Sequence, residues 1–176
     1  MASAYLSRTQ TAGTRTKATF SAWVKRSNLG SNQAFFGIYS AASDAGQIEF
    51  RFQASGEGLH VVGHATNWRR TNRHFRDTNG WYHIVIAFDT TQSTANDRVK
   101  VYVNGVQETS FAATGNPSQD FDLPFGLNGA TCVVGCRQYS NGVGNYFDGQ
   151  MTHVHLVDGT AYTPTTFGET DATTGI

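Results

Sequence analysis

Apolar and polar residues alternate through most of the chain. In RVKVYVNGVQ, residues 98–107, Val99, Val101 and Val103 fall on one face of an extended strand, and Arg98, Lys100 and Tyr102 fall on the other. Asn104 and Gly105 come next; both tolerate positive φ, which a two-residue type I′ hairpin turn requires. Segments of the same kind recur as AYLSR, ATFSAWVKRS, AFFGIYS, QIEFRFQ, LHVVGHA, WYHIVIAFD, DRVKVYV, VQETSF and FDGQMTHVHLVDG. Between them lie SNLGSN, SAASDAG, ASGEG, DTNG and TTQSTAND, built from turn-forming residues. No stretch sustains a helical period; one short turn is predicted at TPTTFGE, with Pro164 at its first position.

The segment WYHIVIAF is apolar on both faces, with Tyr82, Ile84, Ile86 and Phe88 on one side and Trp81, His83, Val85 and Ala87 on the other. Such a strand belongs at the centre of a sheet covered twice. The neighbouring DRVKVYV, with one apolar face, belongs on the wall of the same sandwich. The predicted fold is therefore all-β: two antiparallel sheets packed face to face as a jelly-roll β-sandwich. Neither a repeat nor a low-complexity linker divides the 176 residues, so a single domain spanning 1–176 is expected.

Composition agrees with this and narrows the partners. The chain is 39% hydrophobic and only 15% charged, with 19 glycines to make turns. Thirteen basic residues balance thirteen acidic ones, so no overall field steers the protein to nucleic acid or an anionic membrane. The longest apolar run, around IVIAF, is too short for membrane insertion, and the N-terminus lacks the pattern of a cleaved signal, so secretion by that route is not expected. Cys132 and Cys136 form C-x3-C without the companions of a zinc site, and read as reduced structural thiols, the alternative being a turn at Gly135 that brings them together.

The blocks ATFSAWVKRS, FRDTNGWYHIVIAFDTTQSTANDRVKVYVNGVQ and YFDGQMTHVHLVDGTAYTPTTFGETD, in that order, resemble the laminin-G-like branch of the concanavalin A-like jelly rolls. They are most similar to the version found in structural proteins of marine bacteriophages. The resemblance runs from about Tyr5 to Gly175, and departs from its relatives at His153 and Glu108. It implies a non-catalytic virion protein, either decorating or cementing the capsid or associated with a tail fibre. Its partners would be other virion proteins, in homo-oligomeric or multi-copy form, with host-surface glycan as a further contact. The alternative is a glycan-binding, lectin-like adhesion module.

Candidate chemistry is sparse. Glycoside hydrolysis needs two carboxyl groups flanking the bond, and QIEFRFQ offers Glu49 alone beside Arg51, so no catalytic residue is assigned. Glu49 reads instead as a cross-strand partner for a basic residue. His153 and His155, at i and i+2, and His60 and His64, four apart, lack a third ligand, and no metal site is assigned. His83 reads as a hydrogen-bonded core histidine. No cofactor is expected; calcium, which laminin-G-like modules sometimes hold in rim loops, would have Asp44, Asn141, Asn145 and Asp148 as donors, residues better suited to stabilising turns.

Two groups remain as contact candidates. NWRRTNRHFRD gathers Trp68, Arg69, Arg70, Arg73 and Arg76 in an otherwise neutral chain, a partner surface or else a solvated edge. Tyr139, Asn141, Asn145 and Tyr146 are the candidates for stacking on and hydrogen-bonding a sugar, with Trp68 beside them.

Overall fold

The computed structural model describes residues 3–169, so the last six residues of the segment that carries the resemblance lie outside it. Two sheets form the body. The larger has seven strands in the order β1 (Leu6–Thr9), β11 (Thr131–Val134), β3 (Gln33–Tyr39), β4 (Gln47–Phe52), β5 (Gly58–Val62), β6 (Asn67–His74) and β10 (Phe111–Ala113). The smaller has five: β14 (Gly149–Asp158), β2 (Lys17–Arg26), β7 (Tyr82–Asp89), β8 (Val99–Val103) and β9 (Val106–Gln107). Every pairing within them is antiparallel, as the alternating pattern predicts for a jelly-roll sandwich. A hairpin of β12 (Arg137–Tyr139) and β13 (Gly142–Gly144) stands outside both sheets.

The core lies where the period of two puts it. Phe20 on β2, Phe36 on β3, Phe50 on β4, and Ile86 and Phe88 on β7 are fully enclosed with Val99 and Val101. Phe20 lies 4.8 Å from Phe36, Phe36 5.0 Å from Phe50, and Phe88 5.1 Å from Phe125. Tilted and offset ring pairs at such spacings contribute about 0.5–1.5 kcal/mol each beyond the area they bury. The predicted central strand is central: β7 lies between β2 and β8, and Val85 and Ala87 on its outer face are buried too. At one end the wholly buried Arg26 reaches across the sandwich. It donates to the Phe75 carbonyl, pairs with Glu57 at 2.6 Å and stacks on Phe52.

The hairpin turn is as predicted, with Asn104 at φ 50° and Gly105 at φ 79°. A single-turn 3-10 segment, Pro164–Thr166, occupies the predicted short turn. Three expectations are corrected. VQETSF is not one strand; it divides into β9 in the smaller sheet and β10 in the larger, so the chain changes sheets between Glu108 and Ser110. NWRRTNRHFRD is not an edge, because β6 pairs with β5 on one side and is capped by the three residues of β10 on the other. TCVV, unassigned in the sequence, is the paired strand β11.

Candidate functional site

The pairing register turns one set of polar residues outward on the seven-stranded sheet. With Phe36, Ile38, Ile48 and Phe50 committed to the core, the alternate positions Gly37 and Glu49, which are cross-strand partners, face out. Glu49 also pairs with Val62, Arg51 with His60, and His60 with Arg70. Hairpin β12–β13 packs over this face at Gly37, where a Cβ would stand 3.2 Å from the Gln138 nitrogen and 3.4 Å from the Cys136 carbonyl. Glycine is what lets the hairpin backbone approach so closely.

That approach delivers Arg137 to Glu49. The Glu49 carboxylate is fully buried, and its Oε2 lies 3.1 Å from both Arg51 Nη1 and Arg137 Nε. Arg137 also stacks on Tyr139, 4.4 Å from the ring centroid. Its Nε edge is thus fixed by charge and its face by an aromatic ring. No side-chain hydrogen bond occupies its terminal fork among the described residues. Arg51 Nη2 donates to His60 Nδ1 at 3.2 Å, so His60 Nε2–H donates to Asn67 Oδ1 at 2.7 Å. Burial, reinforced by the charge of Arg51, lowers His60 to about 4, keeping the ring neutral at ordinary pH. Arg51 and Arg137 therefore flank one carboxylate, and Arg51 and Arg70 flank a neutral imidazole beside it. The surplus of positive charge suits an anionic group, and a guanidinium fork suits a carboxylate or sulfate in particular.

The sequence candidates divide sharply. Tyr139, Asn141, Asn145 and Tyr146 are all carried by the excursion between β11 and β14 that forms this face, with Asn141 exposed at the hairpin turn. The Asn145 carbonyl accepts from Ala34 N, which docks the return of the excursion on β3, and Tyr146 lies 6.3 Å from Tyr5. Of the arginine–aromatic segment, only Arg70 is placed on this sheet face, as the cross-strand partner of His60. Trp68, expected as a contact residue, is a correction: it is 1% exposed, edge-on to Phe88 and Phe121 in the core, because strand parity points it inward. Arg69 is likewise corrected. It is buried, its guanidinium is satisfied by the Trp68, Gly115 and Asn96 carbonyls and by Asn116, and burial lowers it to about 10. Arg73 pairs with Glu108 at 2.7 Å, and Arg76 is exposed.

Other residues singled out in the sequence have local roles. Both Asp44 oxygens accept hydrogen bonds, from the backbone of Ala65 and Thr66 and from the Thr66 hydroxyl. These bonds outweigh desolvation and hold the Asp44 pKa below its ordinary value. Among the described residues nothing donates to the Asp148 side chain, while its carbonyl receives Ser27 N. Cys132 and Cys136 are buried free thiols, raised to about 11 by burial. His83 bonds Ser21 Oγ at 2.9 Å. Arg137, Arg51 and His60 were missed as a group. The signal was present in R-Q-Y before a glycine-rich turn and in the outward parity of Glu49 and Arg51, but only the hairpin's docking joins them.

The fold and part of the sequence have known counterparts. Domain 4 of AbnA, a GH43 extracellular arabinanase from Geobacillus stearothermophilus solved with arabinotriose, superposes with a TM-score of 0.58 at 20% identity, covering 88% of this chain and 66% of its own. A heptameric SAP-like pentraxin from Limulus polyphemus gives 0.58 at 17% identity, covering 86% of this chain and 68% of its own. The Ruminococcus gnavus IT-sialidase CBM40, solved with alpha2,3 sialyllactose, gives 0.57 at 12% identity, covering 85% of this chain and 90% of its own. None of the curated proteins matches the chain. Residues 2–165 match the laminin G type 3 family, and the chain belongs to the concanavalin A-like lectin/glucanases superfamily.

Proposed function

We propose that this is a non-catalytic glycan-binding module whose seven-stranded sheet takes an acidic sugar on its outer face. The observation that carries the reading is Arg137, held on one edge by Glu49 and on one face by Tyr139, with its fork left open and Arg51 on the same carboxylate oxygen. A guanidinium already fixed loses little side-chain entropy on binding, so its bidentate bond to a carboxylate is retained in the affinity. Two structural counterparts solved with sugars, arabinotriose and sialyllactose, support the class. Glu49 serves as a counter-ion to two arginines and has no second carboxylate in that cluster, which is the basis for calling the module non-catalytic.

A place on a phage particle, implied by the three sequence blocks, is a proposal about where such a module is displayed. Display in many copies would multiply a weak single-site affinity. The test is calorimetric titration of the parent protein and Arg137→Gln with sialyllactose, glucuronate oligosaccharides and sulfated oligosaccharides across a salt series. At least one acidic ligand is expected to bind the parent, weaken with salt, and lose tenfold or more in Arg137→Gln. Equal binding by both proteins overturns the reading.

A further inference from the structure

A cleft lies on the opposite side of the sandwich, over the outer face of the five-stranded sheet, with a volume of about 730 Å3. That is within the range of about 300–1,000 Å3 common for small-molecule sites. Register builds its floor. Trp23 on β2 pairs with His83 on β7 and with Thr152 on β14, and the indole and imidazole stack at 4.9 Å with only 12° between their planes. One wall is Trp81, 38% exposed, together with the Asn104–Gly105 turn. The turn is fixed to the floor twice through one residue: Asn104 N donates to the His83 carbonyl and Asn104 Oδ1 accepts from His83 N, each at 2.8 Å.

The other wall is built by the edge strand β14 and by residues 159–169 beyond it. Register breaks between Thr152 and His155, and His153 sits at φ 50°, a conformation uncommon for a residue with a Cβ. A bulge of this kind re-aims side chains, and here Thr152 and His153 both line the cleft. Beyond β14 the chain turns back over the sheet, tied by Thr19 Oγ1 to the Thr160 carbonyl and by Tyr162 N to Thr19 Oγ1. This brings Pro164, Thr165, Gly168 and Glu169 to the rim.

The geometry points to a binding site for a short neutral oligosaccharide. Indole surfaces suit the C–H faces of sugar rings, and the sparse polar groups around them, Asn104, Thr152, His153 and Thr165, suit ring hydroxyls. Charge selects against the acidic ligand of the other face. No lysine or arginine lines the cleft among the described residues, the single carboxylate is Glu169, and His83 is biased to its neutral form by burial and by His155. Two sites on opposite sheets would let one module grip two sugar chains, or two parts of one. The cleft's role is independent of Arg137.

Tryptophan fluorescence reads this site, because Trp23 and Trp81 line it while Trp68 is enclosed in the core. The parent protein, Trp81→Ala, Trp81→Phe and Arg137→Gln are titrated with arabinotriose, maltotriose, cellotriose and chitotriose. At least one trisaccharide is expected to shift the emission of the parent and of Arg137→Gln equally. Its affinity should fall tenfold or more in Trp81→Ala and recover in part in Trp81→Phe, with melting temperatures unchanged. No shift by any of the four sugars, or equal binding by Trp81→Ala, overturns the site. Loss in Arg137→Gln alone would mean that neutral sugars bind the other face, which overturns it too.

Discussion

The two outer faces of the sandwich use opposite means to hold surface groups still. On the seven-stranded sheet the anchor is charge: a buried carboxylate orients Arg51 and Arg137, and a neutral histidine links Arg51 to Asn67. On the five-stranded sheet the anchor is stacking and backbone geometry, with Trp23 on His83 and a positive-φ turn bonded twice to the same histidine's backbone. The first face should therefore respond to pH, salt and loss of one carboxylate. The second should respond to loss of a ring or of a turn residue and ignore salt.

The largest effect expected is from Glu49→Ala. Removing a buried partner leaves two guanidinium groups without their counter-charge, which costs about 3 kcal/mol for partly exposed arginines. Chemical denaturation should show that loss, and the hairpin carrying Tyr139 should become protease-sensitive while Trp81 fluorescence keeps its parent spectrum. A resistant hairpin would mean that Glu49 does not hold it.

Acid gives an effect of similar or smaller size and separates the faces further. His60 in the fold titrates near 4, below the 6.5 of an ordinary histidine. Above about pH 6.5 both folded and unfolded states carry the ring neutral, and it adds no pH dependence. As pH falls from there toward 4, the unfolded chain takes up a proton that the fold refuses, so stability declines by up to about 3 kcal/mol. Denaturant midpoints measured between pH 7 and 4 should fall in the parent and stay flatter in His60→Gln. Asp44 and Asp89, both held below the ordinary carboxylate value, add their losses only at lower pH.

Gly105→Val makes the complementary perturbation on the aromatic face. No atom lies within 4 Å of a Cβ built there, so the cost is that of a β-branched residue at φ 79°, about 1–2 kcal/mol. Gly105→Asn should lose less, since asparagine tolerates positive φ. Thermal melts of the two variants, with Trp fluorescence beside them, should show Val below Asn and both below the parent, with acidic-sugar binding intact. Equal melting temperatures would mean that the turn contributes nothing to holding this face.

Much of the sandwich was legible because alternation and turn chemistry are local: the central strand, the hairpin at Asn104–Gly105 and the turn at Pro164 each depend on a few neighbours. What was not legible depends on pairing. β6 reads as a charged surface until β10 closes on it and parity sends Trp68 inward, and β11 is too short to announce itself. The sugar candidates on the 135–147 excursion were found by residue type, but their anchor, Arg137 on Glu49, joins two strands far apart in the chain. Trp23, Trp81 and His83 carried a readable signal, rings on the outward parity of two adjacent strands, one of which is otherwise lined there by Lys, Thr and Ser, and its meaning appeared only when β14 and the Pro164 turn enclosed them.

The central claim is that an arginine fixed by Glu49 and Tyr139 recognises an acidic sugar. It is tested most directly by titrating one acidic oligosaccharide bound by the parent into Arg137→Lys at low salt. Lysine keeps the charge and loses the fork, so a drop of about tenfold is predicted, the equivalent of ~1.4 kcal/mol. Undiminished affinity in Arg137→Lys would contradict it.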